Sequence, residues 1–296
     1  MLNKRHIENV VKGALILLPL AASAESWLYN NQFVSGGFGY EAKMPDEDKY
    51  EGGKLVVTGR YILSEEVQPV DEKRLCCDMP SKPLEYRGVL DAAVRLSADN
   101  GLEYIALGVT PWAKMWDPGV SSDKKWRARR DLLELGVARF VSDDALELDS
   151  YLELGLFRAG RVGEYRPSPE SNWFINTGAQ GSVGWAWAES ADNAYSTVSN
   201  PYAGLYLDTA WTYGSFGSVY LQGRFVNGFS VSNPSRGHPT AREARVRSGY
   251  ARFFGEQQDL KLDIYWQKRS FYFDEGGLPN LYTWVRTYGA EMLWLF

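Results

Sequence analysis

The chain has 296 residues, 32 basic and 37 acidic, a net charge of −5 and 14% aromatic residues, among them 11 Trp and 18 Tyr. An acidic balance argues against a nucleic-acid partner. Beyond the N-terminal region no run of about 18 apolar residues occurs, which excludes a membrane-spanning helix, and the two cysteines, Cys76 and Cys77, are adjacent and cannot staple the fold through a useful loop.

The chain opens with Lys4, Arg5 and Lys12, then "ALILLPLAA", then Ala22, Ser23 and Ala24. A charged segment, a short apolar run and an A-x-A site predict a cleaved signal peptide over 1–24. The apolar run is too short to span about 30 Å of hydrocarbon as a helix. The expected mature chain, 25–296, carries 29 basic and 36 acidic residues, net −7. No Pro/Ser/Gly linker or charge block divides it, so one domain is expected.

Period-two alternation and turn chemistry then mark strands in order. They cover 27–44, 54–63, 86–98, 102–116, 127–141 and 146–160 in the first half. "DNG" at 99–101 is a hairpin signal, because Asn and Gly tolerate the positive φ of a tight turn. A polar loop over 64–85 holds Cys76 and Cys77. "LELDSYLELGLF" places Leu146, Leu148, Leu152, Leu154 and Leu156 on one face and Glu147, Asp149, Tyr151 and Glu153 on the other. No helical stripe fits it as well, although Leu and Glu favour helices. The second half continues over 172–189, 202–214, 217–231, 242–254, 259–273 and 282–296.

The fold class expected is all-β: a transmembrane antiparallel up-and-down barrel of about twelve strands, with ten to fourteen compatible with the pattern. Length separates this from a sandwich. These segments run to roughly 10–18 residues, where globular strands average about 5–6 and a tilted bilayer span needs about 9–11. Aromatic residues such as Trp112, Trp116, Trp185, Trp187, Trp211, Tyr213, Trp284 and Trp294 gather near strand ends, as two interfacial girdles would. Single-chain barrels keep their short turns on one side. Twelve strands put "DNG" and "SDDA" on one side and "GSFG" and "GEQQ" on the other.

The chain ends in mid-strand, with Tyr288, Met292, Trp294 and Phe296 at spacing two. A closed barrel pairs its last strand with its first, so such an end is expected. With the leader and the long alternating strands, this pattern resembles the Gram-negative outer-membrane β-barrel proteins over the whole mature chain. The strand count resembles their twelve-stranded solute channels, phospholipase and lipid A deacylase, with no one family matched. The resemblance implies an outer-membrane location. It implies that Tyr288, Met292, Trp294 and Phe296 act as a signal for the barrel-assembly machinery. It also implies outer-membrane lipid and lipopolysaccharide as partners.

For function, taking the less apolar face as inward predicts a pore lined by Arg130, Glu134, Glu147, Asp149, Glu153, Arg224, Arg245, Arg247, Lys261 and Asp263. The acidic members come from two neighbouring strands and the basic ones from three later strands, roughly opposite. Opposed charge walls sort solutes by charge and dipole. The expected role is porin-like passive passage of small polar or charged solutes. The competing expectation is that these charges simply pair and close the lumen. Enzymatic chemistry has little to stand on. His238 is the one histidine of the mature chain, in a turn-rich loop, and Asp143–Asp144 reads as a turn. No metal, cofactor or catalytic set is expected. Two roles compete with passive passage: an enzyme acting on lipid or lipopolysaccharide, and a non-conducting barrel serving envelope assembly or polysaccharide export.

Overall fold

The computed structural model describes residues 32–45, 53–67, 84–97, 101–116, 125–143, 148–168, 170–190, 198–229, 240–254, 260–274 and 281–295. The expected signal peptide, Cys76, Cys77, Glu147, His238 and Phe296 lie outside them. The strands are β1 (Gln32–Pro45), β2 (Gly53–Val67), β3 (Leu84–Ser97), β4 (Gly101–Trp116), β5 (Trp126–Asp143), β6 (Leu148–Tyr165), β7 (Trp173–Ser190), β8 (Val198–Tyr213), β9 (Gly217–Gly228), β10 (Thr240–Phe254), β11 (Leu260–Asp274) and β12 (Leu281–Leu295). Each pairs with its sequence neighbours, antiparallel, and β1 pairs with β12 from Ser35↔Leu295 to Pro45↔Val285. The result is a closed twelve-stranded barrel with no free edge.

Polarity is inverted relative to a soluble barrel. Large apolar side chains face outward and are half exposed, among them Phe38, Leu55, Val109, Leu205, Val219 and Ile264. Buried charged side chains, among them Glu41, Glu153, Arg224, Glu243, Asp263, Arg269 and Glu291, face the interior. This is the arrangement of a barrel solvated by lipid outside, where the outer wall has no water to satisfy charge. On the outer wall, Trp126, Tyr165, Trp173, Trp211, Tyr213 and Phe216 cluster toward the rim that carries Gln32 and Leu295. They stand where an interfacial girdle belongs.

The alternating pattern predicts the faces well. In β7 the face of Trp173, Ile175, Ala179, Val183 and Trp185 is the outer one, while Ser182, Gly184, Ala186 and Ala188 are buried inside. The phase breaks in β6, where pairing with β7 shifts between Gly155 and Phe157. Leu156 and Phe157 therefore both face outward, 62% and 42% exposed. β5 changes phase at Gly136, whose φ of 70° is left-handed, with the Pro111 ring 3.2 Å from where a Cβ would sit. Such bulges re-aim side chains without ending the strand.

The short connections do not share a side. The closely spaced strand ends Ser97 and Gly101, and Asp143 and Leu148, lie at the rim opposite Gln32 and Leu295, whereas Tyr213 and Gly217, and Phe254 and Leu260, lie at the same rim as Gln32 and Leu295. The rule of one short-turn rim fails here, while the strand count of twelve stands.

The inverted polarity can be measured. Leu205→Arg, outward on β8, is expected to cost about 2–4 kcal/mol if it sits at bilayer mid-depth. Gln222→Arg, inward and exposed on β9, should cost much less. Reversible unfolding in lipid vesicles measures both, and equal losses would contradict the assignment of faces.

Candidate functional site

The interior is built in layers. Toward the rim opposite the termini, Val141, Tyr151, Tyr202, Val226, Phe271 and Val285 form an apolar cluster inside the barrel. Tyr151 on β6 meets Phe271 on β11 edge to face, with ring centroids 5.4 Å apart. These strands are five apart in a ring of twelve, so the contact crosses the lumen.

Next to this cluster lies a bridged ionic layer. Glu153 accepts hydrogen bonds from the hydroxyls of Tyr202 at 3.0 Å, Tyr206 at 3.1 Å and Tyr151 at 3.3 Å. Arg224 on β9 donates through Nη2 to the same carboxylate. Its Nε lies 3.2 Å from Glu243 Oε2 on β10, and Arg269 Nε on β11 donates to Glu243 Oε1 at 3.0 Å. Arg224, Arg245 and Arg269 are direct register partners across β9, β10 and β11, and Arg139 is the register partner of Glu153. Four arginines thus enter one band from four strands. Repulsion among them is offset by the two carboxylates held between them.

A second ionic layer runs from β9 to β3. Arg247 donates to Asp263 at 2.9 Å and to the Tyr220 hydroxyl at 3.0 Å, and its guanidinium stacks 3.7 Å from the Tyr265 ring centroid. Lys261 Nζ is 3.1 Å from Asp263. Arg95 on β3 reaches Glu41 on β1 at 2.7 Å and also pairs with Glu291 on β12. The Tyr265 hydroxyl donates to Glu291 at 3.0 Å and also to Glu41. Gly289 makes room for this ring, because a Cβ there would lie 2.5 Å from it.

Most of the sequence-predicted residues meet one another in these layers. Glu153 and Arg224 are in direct contact, Glu134 pairs with Arg158 at 3.0 Å, and Arg247, Lys261 and Asp263 form one group. Arg245 lies in the arginine row. Asp149 is exposed near the start of β6. Arg130 belongs to β5, and Glu147 lies outside the described residues. The acidic and basic sets are therefore not held apart as opposed walls, since Arg224 crosses to Glu153. Glu41 and Glu243 are central residues that the alternation did not single out. Glu243 shares a face with Arg245 and Arg247 at spacing two, and that spacing was the available signal.

The outer face of β12 presents Tyr288 and Trp294, 48% and 36% exposed, with Met292 between them. Among the described residues no group of three or more His, Cys, Asp or Glu could hold a metal.

No family model matches the chain, and no curated protein does. Among solved structures it is similar to an outer-membrane channel of Pseudomonas putida F1, at 10% identity and a TM-score of 0.42, over 93% of this chain and 100% of that one. It is also similar to OmpT, an outer membrane protein of Vibrio cholerae, at 9% identity and a TM-score of 0.29, over 90% and 100%. OpdL of Pseudomonas aeruginosa aligns at 7% identity and a TM-score of 0.27, over 90% and 98%. These values assign neither a site nor a solute to this chain. Its own closed strand order, apolar outer wall and charged interior are what make it a β-barrel of the outer-membrane type.

Proposed function

We propose that the chain is an outer-membrane barrel that passes small polar or charged solutes through a narrow, ion-lined lumen. The observation that carries this is water-accessible charge inside an apolar wall. The side chains of Arg95, Arg158, Arg247 and Lys261 keep 19–25% of their surface accessible within the barrel. An interior evolved only for packing would bury or omit such groups. Glu134, Arg245, Arg247 and Lys261 keep accessible surface that a solute would meet, while Glu153, Arg224 and Asp263 are buried behind it, and the Arg224 bridge and the Tyr151–Phe271 contact form the narrowest section. Export through a leader over 1–24 and recognition of Tyr288, Met292, Trp294 and Phe296 by the assembly machinery belong to the same reading.

The lumen-crossing contact favours a second reading, a barrel closed in its resting state. Single-channel recording of the refolded chain in a planar bilayer separates the two. Discrete steps are expected, and the reversal potential in a salt gradient reports whether the arginine row or the carboxylates select the ion. A barrel that refolds, judged by a heat-modifiable gel shift, yet stays silent would refute passage.

A further inference from the structure

Among the described residues, charge on the outer wall is sparse, and over most of it a charged group is paired or stands singly. Asp131 and Arg161 form a bidentate pair at 2.6 and 2.7 Å. Arg252 lies over the Phe254 ring near the rim of the termini. The outer face of β10–β12 toward the opposite rim is different. Arg242, Lys268 and Arg286 alternate with interior-facing Glu243, Arg269, Val285 and Thr287, so all three point outward. Lys268 and Arg286 are register partners, and both flank Trp284, at 4.9 and 4.6 Å from its ring. Arg242 lies 5.3 Å from the Tyr272 ring, its own register partner.

The carboxylates whose side chains are described on β10, β11, β12 and β1 are Glu243, Asp263, Glu291 and Glu41, and all four are buried in the interior; Asp274 ends β11 as the register partner of Thr240. Among the described side chains this outer patch is therefore positive, and a positive patch on a lipid-facing surface attracts anionic headgroups. Trp and Tyr mark the headgroup level of a membrane. Lys and Arg recognise phosphate there by charge and by forked hydrogen bonding.

We propose that Arg242, Lys268 and Arg286, with Tyr272 and Trp284 between them, form a binding site for the phosphorylated headgroup of an outer-leaflet glycolipid. This rests on the outer-membrane reading, and it puts the rim opposite Gln32 and Leu295 at the outer leaflet. The phosphates meet the three cations, and the two rings pack against the sugar and upper acyl region.

The test uses the refolded full chain, selected for the heat-modifiable gel shift, with lipid retention read by native mass spectrometry. The probes are diphosphoryl lipid A, its dephosphorylated form and phosphatidylglycerol. Wild type is expected to retain diphosphoryl lipid A preferentially. Arg242→Gln/Lys268→Gln/Arg286→Gln should lower that retention on the order of 100-fold, three basic groups at their membrane-surface value, while Arg252→Gln leaves it unchanged. Unchanged retention in the triple variant overturns the site. Equal retention of dephosphorylated lipid A would mean apolar adsorption, and equal retention of phosphatidylglycerol would mean bulk surface charge; either overturns it. A lipid-free dimer that the triple variant abolishes would assign the face to a second copy instead. If the triple variant does not refold, Lys268→Gln and Arg286→Gln are read singly in the same way. A silent barrel that still binds lipid A removes the channel reading and leaves this site standing.

Discussion

Arg224→Gln lowers the stability of the barrel by about 3–5 kcal/mol, the loss expected when one member of a buried ion network is removed and its partners are left charged. Arg224 is 1% exposed and lies between Glu153 and Glu243, themselves 3% and 2% exposed. Glu153 keeps only tyrosine hydroxyls and its strand neighbour Arg139. Glu243 keeps Arg269. The barrel wall itself is untouched, so the variant should still insert and fail by unfolding at lower denaturant. The double variant Glu153→Gln/Arg224→Gln neutralises both members and should recover much of the loss, because two amides can hydrogen-bond without a buried charge. Denaturant titration in micelles, followed by the gel shift, measures all three proteins. A double variant as unstable as Arg224→Gln would show that the ion pair is not the source of the effect.

Phe271→Ala should both destabilise the barrel and widen it. Removing a fully buried aromatic costs about 3–5 kcal/mol, and Phe271 is 0% exposed against Tyr151. That contact joins strands five apart across the lumen, so its loss opens the section that the apolar cluster closes. Unitary conductance should rise above that of the wild type, and Tyr151→Ala should act in the same direction. Phe225→Ala, on the lipid-facing side of β9 and 44% exposed, should leave conductance unchanged. If Phe271→Ala and wild type conduct alike, the narrowest section lies elsewhere in the barrel.

Much of the architecture was legible along the chain. Strand length and alternation were enough for a barrel of about twelve strands, because pleating makes every second residue face the same way. Several boundaries fell within a residue of the expected ones: 102–116 became Gly101–Trp116, and 172–189 became Trp173–Ser190. The outer face of β7 was readable for the same reason. Gly136 and the break between Gly155 and Phe157 were not, because a bulge reverses the phase of all that follows and leaves little local mark.

The site divides along the same physical line. That Glu153, Arg224, Arg245, Arg247 and Asp263 share the interior face is a local property, set by alternation and by the aromatic residues on the opposite face. Which of them meet is not local. Arg224 reaches Glu153 over three strand intervals, Arg95 on β3 reaches Glu291 on β12, and Tyr151 reaches Phe271 across the lumen. Those distances depend on how the ring closes and how adjacent strands are staggered, quantities set by all twelve strands together. Buried charge must find a partner at whatever distance closure provides. Alternation, with aromatic residues gathered near strand ends, determined from the sequence by itself which residues share a face and that the more charged face of most strands turns inward. Only the closed tertiary structure decided that the acidic and basic sets would join into two ionic layers instead of standing apart as opposing walls.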